Sequence, residues 1–197
     1  MNMQTLSLDI LEQRIPRLVL GDYPTSLSRS RGLQRHIGGP ELWFKRDDLI
    51  SFGFGGNKVR GLEVIATEIV DQYCDVIVTG AGLQSNHVIA SAALESFLGN
   101  DMTAVFWGQP TDRFDGNYRM SRMLGAQVFF TGDKDRASVD LGIDQVASKL
   151  VEQGRSPYRI PRGGACPSGV LGHVLAVGET FRQCREINLN PDLIIFA

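Results

Sequence analysis

Chemistry that needs an amine nucleophile has few places to reside in this chain, which has lysines only at positions 45, 58, 134 and 149. Lys58 is the one that follows a glycine-rich run, Phe52-Gly53-Phe54-Gly55-Gly56-Asn57, and opens an apolar helical stripe. Backbone N–H groups point outward at such a helix start, and the positive end of the helix dipole disfavours an ammonium there. A neutral amine is what Schiff-base chemistry requires. The same residues also read as a turn feeding a helix, with Lys58 solvated. The run is not a P-loop, because Asn57 and Val59 stand where that pattern needs Gly and Ser or Thr.

A second motif, Gly80-Ala81-Gly82-Leu83-Gln84-Ser85-Asn86-His87, follows one apolar run and opens another. It would set polar side chains and backbone N–H groups at the carboxyl edge of a sheet, where α/β folds bind ligands. A dinucleotide fingerprint does not fit: Ser85 takes the third glycine position, and Trp107-Gly108-Gln109 offers no acid for a ribose. Ser85 and Asn86 also read as helix caps, and His87 as readily structural as catalytic. Four consecutive polar side chains exceed what one cap needs. A third motif, Arg162-Gly163-Gly164-Ala165-Cys166-Pro167-Ser168-Gly169, reads as an interdomain crossover or as backbone donors for a carboxylate. Cys166 has no neighbouring base, and His36, His173 and the acids show no metal-ligand spacing, so no metal is expected.

These motifs sit in an alternation of short β-rich runs and longer amphipathic ones. Strands are expected at 42–45, 75–79, 103–107, 127–131, 158–160 and 193–196, and helices at 57–71, 85–98, 116–124, 136–152 and 168–185. The fold class is therefore α/β: open, mainly parallel sheets with helices on both faces. Glycine runs at 53–56 and 161–169 mark candidate seams. The apolar run 193–196 reads as an interior strand that needs a covering helix, so the chain reads as the front part of a longer fold.

With 197 residues, 43% hydrophobic and 21% charged, the chain is ordinary globular material. A formal charge of -2 gives no footprint for nucleic acid or anionic membrane partners. The start, MNMQTLSLDILEQRIPRL, lacks the basic and apolar regions of a secretory leader. Three widely spaced cysteines suggest reduced thiols, so a cytoplasmic location is expected.

Six blocks in order, LGDYPTSL (20–27), LWFKRDDL (42–49), FGGNKVRGLE (54–63), GAGLQSNHV (80–88), MLGAQVFF (123–130) and IPRGGACPSGVLGH (160–173), resemble the pyridoxal-phosphate enzymes comprising 1-aminocyclopropane-1-carboxylate deaminase and D-cysteine desulfhydrase. The resemblance implies a two-domain fold of the tryptophan-synthase-β type. Residues 55–162 would form the small α/β domain, and 1–54 with 163–197 an incomplete larger one. It implies that Lys58 carries pyridoxal 5'-phosphate, Asn86 binds the phenolic oxygen of the cofactor, and Ser85 assists proton movement or substrate orientation. Gln84 and His87 would line the same edge, His87 favouring a β-substituted amino acid. The family's second lysine, three residues after the first, is replaced here by Gly61. The phosphate-cradling loop expected after residue 197, with the residues beyond it, would have to come from a complementary C-terminal chain. Thus the expected protein is a lyase or deaminase of small amino acids, present as an N-terminal portion or split-enzyme partner and a homo-oligomer when complete; the alternative is a catalytically inactive relic or interaction module.

Overall fold

The structure is a computed structural model and describes residues 10–196. After a helical turn at 10–14 (α1), a short antiparallel pair, β1 (Leu27–Arg29) and β2 (Trp43–Lys45), flanks α2 (Arg31–Ile37). The remaining chain builds a four-stranded parallel sheet in the order β5-β4-β3-β6. Its strands are β3 (Val76–Ala81), β4 (Asp101–Phe106), β5 (Gln127–Phe130) and β6 (Pro157–Arg159). The connecting helices are α3 (Lys58–Asp71), which precedes β3, then α4 (Asn86–Leu98), α5 (Gly116–Met123), α6 (Ser138–Glu152) and α7 (Pro167–Glu186).

Strand alternation decides which helix covers which face. Ile77 of β3 and Met102, Ala104 and Phe106 of β4 point to one side, where they pack with Leu62, Ile65, Ala66 and Ile69 of α3 and Val88, Ala92 and Leu94 of α4. The intervening residues Val78 and Val105 point to the other side, against Val139, Ile143 and Ala147 of α6. Both faces are thereby covered, as apolar parallel strands require. All but one of the strands and helices expected from periodicity form, with ends shifted by a residue or two.

The exception is 193–196. No ladder forms there, and Leu193, Ile195 and Phe196 are 76%, 83% and 78% exposed. An apolar run becomes a strand only where a neighbour supplies hydrogen-bond partners, and none of the described strands pairs with it. β1 and α2 lack a legible signal: β1 is three residues long, and α2 buries none of its residues.

One helix contact bears directly on the motifs. α7 crosses α3 backbone to backbone: a Cβ on Gly61 would lie 2.8 Å from the Gly169 carbonyl oxygen, and one on Gly172 would lie 2.0 Å from the Arg60 carbonyl oxygen. Gly61, where the resemblance leads one to expect a second lysine, thus lies in a close crossing of two helices, where a Cβ would meet backbone. This crossing spans the seam expected near residue 162.

Candidate active site

The glycine run ahead of Lys58 is tied down from its backbone. The Gly56 amide donates to the Asp47 carbonyl at 2.8 Å, and Gly55, at φ +76°, packs so closely that a Cβ would sit 2.4 Å from the Asp48 carbonyl oxygen. Lys58 then begins α3 in the first turn, as expected. Two residues on, Arg60 is fully buried and locks that turn. Its guanidinium reaches both carboxylate oxygens of Asp47 at 2.7 Å and those of Glu179 at 3.1 and 3.2 Å, and lies 4.8 Å from the Tyr23 ring centre. Lys45 ion-pairs with Glu179 and donates to the Thr25 carbonyl at 2.7 Å. Burial works against ionisation of Glu179, but the contacts with Arg60 and Lys45 outweigh it and hold the carboxyl below the usual range.

Lys58 lines a cleft of about 150 Å³ together with Gly61, Leu62, His87, the Gly163–Gly164 turn and His173. It makes no ion pair or hydrogen bond among the described residues, while Lys45 is consumed by Glu179 and Lys134 and Lys149 are exposed elsewhere. Among the described residues no carboxylate lines this cleft. The glycine turn at Arg162–Gly164, expected as a crossover, is part of its wall.

The polar motif divides its labour. Ser85 is the N-cap of α4, its Oγ accepting from the His87 and Val88 amides at 3.1 and 3.4 Å. Its own hydroxyl proton remains available for donation. Gln84 points to α5: its Oε1 accepts from the Asn117 amide at 2.8 Å, and its Nε2 donates to Asp115 Oδ1 at 3.0 Å. Gly116, at φ +50°, makes this possible, since a Cβ there would fall 2.2 Å from Gln84 Oε1.

Asn117 settles which way Asn86 faces. A backbone carbonyl only accepts, so the 3.1 Å contact from Asn117 Nδ2 to the Gln84 carbonyl fixes the Asn117 amide. The same Nδ2 donates to Asn86 Oδ1 at 2.8 Å, which leaves the Asn86 NH₂ as the outward end. His87 is buried at 2% exposure, with Nε2 2.9 Å from Thr79 Oγ1, and burial followed by the charge of Lys58 lowers its pKa to about 3. Sequence reasoning does not mark Asn117, Thr79 or His173 as site residues. A Gly-Asn pair at a helix start is a visible signal for Asn117, but nothing local marks the other two. Cys166 is half-buried against the core, the three cysteines are free, and no group of three metal ligands occurs among the described residues.

A parallel α/β sheet with an unpaired lysine at a helix start, sharing a cleft with His87 of a polar strand-to-helix turn, is an arrangement compatible with holding a carbonyl group through an amine. Residues 18–197 match the sequence model of the family described as pyridoxal-phosphate dependent enzyme, and the chain belongs to that family. It is 34% identical over 187 residues to a putative 1-aminocyclopropane-1-carboxylate deaminase of Pyrococcus furiosus, covering 95% of this chain and 56% of that protein. It is 33% identical over 178 residues to D-cysteine desulfhydrase of Klebsiella pneumoniae, covering 88% of this chain and 53% of that protein. The solved structure of an ACC deaminase homologue superposes with a TM-score of 0.83 at 33% identity, over 93% of this chain and 55% of that one. A solved threonine deaminase shares the fold, with a TM-score of 0.66 at 19% identity, over 97% of this chain and 54% of that one. The chain spans about half the length of the curated relatives it matches.

The residues present suit pyridoxal phosphate. An amine without a competing carboxylate faces the cleft, and Asn86 offers an oriented N–H donor. No helix among the described residues is long and apolar enough to cross a membrane.

Proposed function

We propose that this chain supplies the amine-bearing half of the active site of a pyridoxal-phosphate-dependent lyase or deaminase acting on a small amino acid. The observation that carries this reading is Lys58: of the four lysines it alone lines the cleft, unpaired, together with His87, while Gln84, Ser85 and Asn86 precede His87 at the start of α4 outside the cleft lining. Pyridoxal phosphate, when bound, supplies an electron-accepting ring that stabilises negative charge on the carbon next to the substrate amine. Lys58 would hold the cofactor and afterwards carry protons to and from that carbon. Asn86 Nδ2 would donate to the phenolic oxygen of the ring, while Ser85, with its lone pairs engaged by the cap, would act towards substrate as a hydroxyl donor. Gln84 serves chiefly to fix the turn against α5. His87 lines the cleft from within.

The substrate reading is a β-substituted amino acid of the D-cysteine kind or an aminocyclopropane carboxylate. Two chemistries separate them: loss of a β-leaving group, or opening of a strained ring. The chain acts as an N-terminal portion or split-enzyme partner in the cytoplasm. A complementary C-terminal part meets the exposed 193–196 segment and supplies further phosphate contacts, and the complete enzyme is a homo-oligomer. The division into a small domain at 55–162 and a larger one around it belongs to the same reading.

The test is borohydride reduction of the protein with pyridoxal phosphate, followed by peptide mapping. Lys58 should carry the label; a label on Lys45, Lys134 or Lys149 with Lys58 untouched defeats the assignment. Turnover of D-cysteine or aminocyclopropane carboxylate should be low for residues 1–197 alone and rise when the complementary part is added. Failure to rise, with Lys58 unlabelled, supports an inactive relic.

A further inference from the structure

The hydrogen bonds around His87 determine where its proton sits. The Ile160 carbonyl can only accept, so the 2.9 Å contact between it and Thr79 Oγ1 uses the hydroxyl proton of Thr79. Thr79 Oγ1 then has only lone pairs for His87 Nε2, also 2.9 Å away, and Nε2 must carry the hydrogen of that bond. A neutral imidazole has one N–H, so Nδ1 is left as a bare lone pair. Burial, reinforced by the charge of Lys58, keeps the ring neutral.

That lone pair has a defined surrounding. A Cβ on Gly164 would lie 3.2 Å from Nδ1 and 3.1 Å from Cε1, so the Nδ1 edge faces the Gly163–Gly164 turn, which presents no side chain to it. No described group donates to Nδ1. The charged or titratable side chains that share the cleft with it are Lys58 from α3 and His173 from α7. Lys58 is the amine, and its own hydrogens have no acceptor.

We propose that His87 is a positioning residue for Lys58: the two line the same cleft without a hydrogen bond in this structure, and a rotation of the flexible Lys58 side chain brings one N–H of its amine to Nδ1, whose lone pair Thr79, anchored on the Ile160 carbonyl, holds in place. An amine held through one N–H has its own lone pair directed away from the imidazole, which aims it at an electrophile in the remaining space. This last step rests on the reading of Lys58 as the cofactor-binding amine; the tautomer and the contact do not.

The experiment is ¹⁵N NMR of the full chain with labelled histidine, together with the rate at which Lys58 captures pyridoxal phosphate. His87 should show the Nε2–H tautomer and no titration above about pH 5, given a pKa of about 3. Lys58→Met, which fills the same space without a donor, should move the Nδ1 resonance towards that of an unbonded acceptor and leave the tautomer unchanged. Thr79→Val should let the Nδ1–H tautomer appear and slow capture about tenfold, the worth of one hydrogen bond, while Thr79→Ser retains native behaviour. Circular dichroism establishes that each variant is folded, and the native and Lys58→Met spectra decide the matter if Thr79→Val is not. An Nδ1–H tautomer in the native chain, or an Nδ1 resonance indifferent to Lys58→Met, overturns the proposal. Absence of cofactor capture by the native chain counts against the proposed function alone.

Discussion

Asn86 can offer a ligand only one end of its amide, because Asn117 holds the other. Asn117→Ala removes that restraint, whereas Asn117→Asp places an acceptor where a donor is needed and rewards Asn86 for turning around. The isosteric change is therefore the worse one. Pyridoxal phosphate affinity, followed by absorbance titration, should fall about tenfold further for Asn117→Asp than for Asn117→Ala, as expected for one hydrogen bond of reversed polarity. Ser85 separates its two roles in a similar way. Ser85→Ala should lower stability to urea by about 1 kcal/mol through loss of the cap. A larger loss in turnover of the complete enzyme, by about 10²-fold, would reveal its proton-transfer role. Full activity would leave it a capping residue.

The crossing of α3 and α7 is where sequence and packing constrain each other most tightly. A Cβ on Gly172 would meet backbone at 2.0 Å and one on Gly61 at 2.8 Å. Neither neighbour is a side chain that could rotate away, so the helices must separate to admit a methyl group. Alanine at either site should destabilise the fold by about 1–3 kcal/mol, with Gly172→Ala the more damaging, as measured by denaturant midpoints. A displaced α3 also carries Lys58 with it, so cofactor capture should weaken in both variants. The Arg60–Asp47–Glu179 network anchors the same turn. Glu179→Ala leaves the buried Arg60 with one carboxylate partner in place of two, and loss of about 3 kcal/mol or more is expected for such a broken buried pair.

For the molecule as a whole, pH dependence has a signature at Glu95. This carboxyl is 6% exposed, its Oε2 has no partner among the described residues, and burial, with Asp101 nearby, raises its pKa from 4.5 to about 7. The native state holds this proton more tightly than the unfolded chain does. The contribution to stability is accordingly full below about pH 4.5 and declines as pH rises towards 7. Glu95→Gln should flatten that decline and raise the melting temperature at about pH 8 relative to the native chain. The exposed 193–196 segment belongs to this scale as well. Its apolar side chains form the kind of patch that promotes association, and Leu193→Ser with Phe196→Ser should reduce self-association in sedimentation.

Much of this was legible in the residues themselves, for reasons that are local. A glycine run before an apolar stripe announces a helix start, and the stripe of α3 or the alternation of β4 depends only on neighbours along the chain. Lys58 and the Gln84–His87 turn can be found that way, and the six ordered blocks point to the family that the match over residues 18–197 establishes. The roles within the turn cannot be read so. Whether Gln84 faces a ligand or α5, which end of Asn86 is presented and which nitrogen of His87 carries the proton depend on Asn117, Thr79 and Ile160, which lie between 8 and 81 residues away from their partners along the chain. The same holds for Gly61, a missing lysine in the sequence and a helix contact in the fold. It holds equally for 193–196, whose apolar pattern specifies burial but not the neighbour that would make it a strand. Periodicity fixes what a segment prefers; hydrogen-bond donors and acceptors find their counterparts only once the chain has folded.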